Sequence, residues 1–131
     1  MEQSLLILLA EDEALIALAL EDALHEAGFA TSHVITGEEA LEVLDADHHA
    51  LCGVITDIKL GGKVDGWAVA RHARELMPRI PIVYISGDSA HEHTAMGVPE
   101  SLMLQKPFAP AQLITAISNL LNAMPPPQPP H

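Results

Sequence analysis

Aromatic side chains make up only 3% of the 131 residues: one Trp, one Tyr and two Phe. Any core must therefore be built from Leu, Ile, Val and Ala, and an apolar fraction of 49% is enough to build one. The single cysteine, Cys52, excludes an intrachain disulfide and any site that needs several thiolates, and it suits a reducing compartment. No apolar run reaches the ~18–20 residues that span a bilayer. The start, Met1-Glu2-Gln3, lacks the basic region of a secretory signal. Positive charge is scarce as well, with 6 Lys and Arg against 18 Asp and Glu, for a formal net charge of −12. Residues 1–57 hold 13 acids and no Lys or Arg. Such a surface repels a phosphate backbone and an anionic membrane alike, which argues against direct binding to either. After Lys106 no charged side chain follows, apart from His131 if protonated.

What the chain does contain is a regular alternation. Leu5–Ala10 (LLILLA), Leu51–Thr56 (LCGVIT) and Ile80–Ile85 are short apolar runs of the kind buried on both faces of a sheet. Ala30–Ile35 is more polar and suits an edge, and Ser101–Gln105 is a further apolar run. Between them lie helical segments. Glu13–Ala27 lines up Ile16, Leu20, Leu24 and Ala27, with Gly28 placed as a C-cap. Thr36-Gly37-Glu38-Glu39 reads as a capping box for a helix to about Asp45. Asp65 caps a helix to Met77, and Pro110–Ala123 carries Leu113, Ile117, Leu120 and Leu121 on one face. Ser89–Met96 has poor periodicity and reads as a short, loosely held helix. Residues 1–124 form one domain on this reading, and the Pro-rich 125–131 form an extended tail. Five βα units predict an α/β, doubly wound parallel sheet with helices on both faces. Such sheets bind ligands outside the carboxyl ends of their strands.

The residues at those ends carry the chemistry. Glu11 and Asp12 follow the first strand, Asp57 the third, Ser86 the fourth, and Lys106-Pro107 the fifth. Three clustered carboxylates repel one another unless a cation intervenes. Hard carboxylate oxygens suit Mg²⁺, which keeps several waters and takes its other ligands from substrate phosphate. Lys106 supplies a second cation for a phosphoryl oxygen, and Ser86 a hydrogen-bond donor. Asp57 is then placed to act as a nucleophile and form an aspartyl phosphate.

Over residues ~5–123 this set of residues resembles the receiver domain of two-component response regulators. Each motif alone is weak, but the four in this order and spacing are specific. The resemblance implies a flavodoxin-like strand order of 2-1-3-4-5, with Asp57 as phosphoacceptor. It implies Asp12 as a direct Mg²⁺ ligand, Glu11 as a partner through water, and a backbone carbonyl ligand from Lys59. Ser86 becomes the switch hydroxyl, Lys106 the phosphate-pairing lysine, and Lys106-Pro107 a cis peptide. Where many relatives carry an aromatic switch residue three positions before the lysine, this chain has Met103. The segment Pro81–Gly87 (PIVYISG), with Tyr84, together with Leu60–Gly66 (LGGKVDG), looks like the PFxFATGY-motif subgroup, associated with histidine kinases of the HWE or related type. Switching is accordingly expected as a rearrangement of residues 86–97. Asp88 and the Lys59 side chain are expected to influence dephosphorylation.

The resemblance implies a stand-alone cytoplasmic signalling protein of bacterial type in a phosphorelay. A histidine kinase or phosphotransfer protein would be its donor, and an unknown downstream protein its target. It would be no enzyme beyond its own phosphorylation and dephosphorylation, and its length would leave no room for an effector. The uncharged last helix lacks the salt-bridged dimer face of DNA-binding relatives, so a monomer or weak dimer is expected. Two readings compete. One is a pseudo-receiver that binds partners without phosphotransfer, against which Glu11, Asp12, Asp57 and Lys106 all stand. The other is a Mg²⁺-dependent phosphatase, which usually needs a second acid where this chain has Lys59. The histidines at 48, 49, 91 and 93 read as loop residues, Cys52 as a small core residue, and Trp67 as packing beside the loop.

Overall fold

A computed structural model describes residues 5–123. The expected tail, 125–131, lies outside the described residues. The apolar runs form strands Leu6–Ala10 (β1), Leu51–Asp57 (β3) and Ile82–Ser86 (β4), buried along nearly their whole length. The more polar Ala30–Val34 (β2) and Leu102–Gln105 (β5) form the two edges. All neighbours pair in parallel, in the order β2-β1-β3-β4-β5. Because β1 lies between β2 and β3, the chain reverses direction of winding after β2, and the carboxyl ends of β1, β3, β4 and β5 open onto one crevice.

Helices cover both faces. Ala14–Glu26 (α1) and Pro110–Ala123 (α5) place Leu20, Leu24, Leu113 and Ile117 against Ile7, Leu9, Ile55, Val83 and Ile85. Gly37–Asp47 (α2) and Gly66–Leu76 (α3) place Ala40, Leu44, Val69 and Ala73 against Leu8, Val54, Ile82 and Tyr84. The alternation of neighbouring strand residues between these two sets is the strand period of two. Capping is as the sequence dictates: Thr36 Oγ1 accepts from the Glu39 N–H at 3.1 Å, and Asp65 Oδ1 from the Ala68 N–H at 2.9 Å. Gly28, at φ +98°, turns the chain out of α1. Among the described residues no helix is long and apolar enough to cross a membrane.

Two expectations need correction. The α1 stripe runs through Ile16, Ala17, Leu20 and Leu24 as expected, but Ala27 at its end is exposed. Gly28 turns the chain there, and Phe29 enters the core just beyond it. Leu15 and Leu18 are left 83% and 57% exposed on the outer side. β4 begins at Ile82 rather than Ile80, since Pro81 has no N–H to give to the ladder. β5 is half-buried, as expected of an edge rather than of a central apolar run. Residues 89–96 form a 3₁₀ turn, Ala90–Glu92, followed by a single α-turn, His93–Met96 (α4). Neither turn has a buried residue, so its neighbours hold the segment. The Tyr84 hydroxyl accepts from the Val98 N–H at 3.0 Å, and Arg74 donates to the carbonyls of Ile80 (2.8 Å) and Pro99 (2.5 Å).

Candidate functional site

The turn after β1 brings Glu11 inward. Its side chain is fully buried. Oε2 accepts from the Glu13 N–H at 3.1 Å, which anchors the start of α1, whereas buried Oε1 accepts no hydrogen bond even though Lys106 Nζ lies 3.2 Å away. Burial pushes the Glu11 carboxyl up to about 7, helped by the negative charge of Asp57 and opposed by the Glu13 N–H and Lys106. Asp57 ends β3 and is 5% exposed. Its Oδ1 accepts from the Lys59 N–H at 3.3 Å and its Oδ2 from Lys106 Nζ at 2.7 Å. Gly66 is required beside it, because a Cβ there would collide with the Asp57 carbonyl.

Lys106 stands among three acids, with Glu13 Oε1 3.5 Å from its ammonium. Burial works against that charge, but the hydrogen bond and charge of Asp57, and then Glu11, outweigh it and hold the pKa above the usual lysine range. The strand-end position is fixed by the Lys106 N–H on the Ser86 carbonyl (2.7 Å), and the Lys106-Pro107 peptide is cis as expected. Ser86 Oγ accepts from the N–H groups of Ser89 (2.6 Å) and Asp88 (3.2 Å), which leaves its own proton free to donate.

Asp12 is exposed at the mouth of the site. One carboxylate oxygen each from Glu11, Asp12 and Asp57 lies within 4.8 Å of the others. Three acidic oxygens, together with a buried Glu11 oxygen that accepts no hydrogen bond, fit a small hard cation such as Mg²⁺. The adjoining cleft, about 470 Å³, is lined by the predicted Asp12, Asp57, Lys59, Ser86, Asp88 and Lys106. Lys59 Nζ and Asp88 Oδ2 pair at 2.5 Å, joining the loops after β3 and β4; each shifts the other toward its charged form.

Tyr84 and Met103 lie elsewhere. They are register neighbours on β4 and β5. Tyr84 is fully buried, with its ring against Trp67 (4.7 Å) and His93 (5.6 Å). Trp67 therefore belongs to the core rather than to the loop surface. Sequence reasoning missed Glu13 and Gly87, which line the cleft, and His33, whose Nε2 meets the Glu11 carbonyl at 2.8 Å. The strand order contained the signal for His33, since the last residues of an edge β2 must lie beside the end of β1.

This fold and this gathering of acids, hydroxyl and lysine at one sheet edge define a flavodoxin-like α/β domain of the receiver class. The chain belongs to the response regulator receiver family: the family profile described as "Response regulator receiver domain" matches residues 7–118. The chain is 34% identical over 119 residues to the response regulator receiver protein CpdR of Brucella abortus, covering 89% of this chain and 97% of that protein. It is similar to the crystal structure of a response regulator receiver protein from Sinorhizobium medicae, with a TM-score of 0.89 and 51% identity over 92% of this chain and 97% of that one. A receiver domain of a sensor histidine kinase from Pseudomonas aeruginosa, whose crystal structure has a magnesium ion coordinated in the active-site cleft, shares the fold at a TM-score of 0.77 and 21% identity, covering 92% and 99% of the two chains. Other relatives are longer. The chain spans 48% of the probable transcriptional regulator ycf27 of Cyanophora paradoxa and 12% of the sensor kinase CckA of Brucella abortus.

Proposed function

We propose that this receiver accepts a phosphoryl group on Asp57 from a histidine kinase or phosphotransfer protein, with Mg²⁺ held by Asp12, Asp57 and the Lys59 carbonyl, and by Glu11 through water. The observation that carries the reading is the Asp57 carboxylate itself. It is nearly buried at a strand end, with one oxygen on Lys106 and the other on a backbone N–H. A carboxylate held at both oxygens is oriented before the donor arrives. One Asp57 oxygen attacks phosphorus, the bond from phosphorus to the donor nitrogen breaks, and a mixed anhydride forms. Lys106 moves from the carboxylate to a phosphoryl oxygen, and the free proton of Ser86 is donated to another. When bound, Mg²⁺ neutralises charge on the transferring group. The magnesium in the Pseudomonas relative supports this assignment by likeness of fold.

The Lys59–Asp88 pair stands at the cleft rim, where attacking water must pass, and sets the lifetime of the phosphoryl group. The signal leaves through protein contacts as residues 86–97, which include the two short turns without a buried residue, shift between two arrangements. Where the donor is a histidine kinase, the Pro81–Gly87 and Leu60–Gly66 segments point to the HWE or a related type; the protein is cytoplasmic and monomeric or weakly dimeric, and its only catalysis is on itself. The test is incubation with Mg²⁺ and acetyl phosphate followed by intact mass. A gain of about 80 Da, the mass of one phosphoryl group, is expected in the natural protein and not in Asp57→Asn. An unmodified natural protein, or an equal gain in the variant, contradicts the proposal.

A further inference from the structure

We infer that His33 is a positioning residue for the acidic pair Glu11-Asp12, acting through the peptide that joins them; this rests on the metal and phosphoacceptor reading above. The Glu11 N–H donates to the Val34 carbonyl at 3.1 Å, and the Glu11 carbonyl meets His33 Nε2 at 2.8 Å. The residue that leaves β1 for the site is thus held on both sides by the end of β2. No backbone N–H among the described residues donates to that carbonyl. A carbonyl only accepts, so Nε2 carries the proton. The carbonyl of Glu11 and the amide of Asp12 share one rigid plane. Fixing the first fixes the direction in which Asp12 leaves the strand.

His33 Nδ1 lies 3.9 Å from Glu21 Oε1, outside hydrogen-bond distance, and Glu21 Oε2 accepts from Thr31 Oγ1 at 2.9 Å. The Thr31 proton being used there, its oxygen accepts from His25 Nε2 at 3.0 Å. Thr31 and His33 are two apart on β2 and share the face that meets α1. Polar side chains of α1 and the edge strand therefore lie beside the ring that meets the peptide behind the acidic cluster. Partners of this kind orient ligand-bearing groups, and their loss typically costs about 10–100-fold in metal affinity.

The experiment compares His33→Leu, which removes the donor, with His33→Gln, whose amide N–H reaches a similar point. Mg²⁺ alone is titrated calorimetrically into each protein. The metal-free proteins are compared by the NMR position of the Asp12 amide and, in the natural protein, by the ¹⁵N signature of the protonated Nε2 of His33. The Leu variant is expected to bind Mg²⁺ at least about tenfold more weakly, with a displaced Asp12 amide. The Gln variant recovers most of both. Phosphorylation by acetyl phosphate in the Leu variant is expected to fall at low Mg²⁺ and to return at saturating Mg²⁺, a pattern that general destabilisation does not produce. If the natural protein binds Mg²⁺ and the Leu variant binds equally well, or the Gln variant is as weak as the Leu variant, the role of His33 is overturned. A natural protein that binds no Mg²⁺ overturns the site reading, and the role of His33 with it.

Discussion

Glu11→Gln isolates the energetic consequence of burying a carboxylate behind the site. The Glu11 carboxyl rises from 4.5 to about 7, mainly by burial. Between those values the folded chain holds a proton that the unfolded chain releases. Folding stability from this group is therefore full below the unfolded pKa and is lost as pH rises through the folded one. A tenfold change in proton affinity is worth about 1.4 kcal/mol, so linkage puts the loss at about 2–3 kcal/mol between about pH 5 and about pH 8. Glutamine cannot titrate and lacks this slope. The variant also changes contacts with Lys106 and the Glu13 N–H, but that penalty is the same at both pH values and cancels in the double difference. The assay is urea unfolding in a metal chelator, followed through buried Trp67, for both proteins at both pH values. The expected result is a relative gain for Glu11→Gln of about 2–3 kcal/mol on going to the higher pH. A double difference below about 1 kcal/mol, or one of opposite sign, would refute burial as the cause.

Further outcomes follow from neighbouring contacts. Lys106→Ala leaves Glu11 and Asp57 without their cation, and chelator-treated protein at neutral pH should lose about 3 kcal/mol of unfolding free energy in urea. The same variant should slow phosphorylation by acetyl phosphate at least about 100-fold, read by intact mass against time. Lys59→Ala and Asp88→Ala break a pair exposed to solvent, so the urea midpoint should stay unchanged while the half-life of the phosphoryl group shifts. Tyr84→Phe removes the acceptor for the Val98 N–H, at an expected cost of about 1–2 kcal/mol in urea unfolding, with faster hydrogen exchange at Val98.

The sheet was legible in the sequence because three of its strands are apolar almost without interruption, a pattern that burial on both faces explains. Glu11, Asp12, Asp57, Ser86 and Lys106 were legible as a site because each stands at or just beyond a strand end, and parallel strands bring such positions to one edge. Residues 89–96 were weakly legible for a physical reason: with no apolar stripe, their geometry depends on Ser86, Tyr84 and Ser101 from other parts of the chain. The α1 stripe was legible in Ile16, Leu20 and Leu24, which pack on the sheet, and failed only at Ala27, where Gly28 turns the chain away. His33 looked like an ordinary polar residue of an edge strand. Its role depends on a contact across 22 positions of sequence, which spacing alone does not reveal. Glu13 was read as the first residue of a helix, and only the packed structure sets its carboxylate beside Lys106.

Asp57, and no other of the 18 acids, is the proposed acceptor of the phosphoryl group, and everything said of the site depends on it. Borohydride reduction of the acetyl-phosphate-treated protein, followed by peptide mapping, tests this most directly, since hydride converts an aspartyl phosphate to homoserine and marks the residue. Homoserine is expected at position 57 alone, formed with Mg²⁺ and absent when a chelator replaces it. Homoserine at another acid, or none at position 57 when Mg²⁺ and donor are both present, would contradict it.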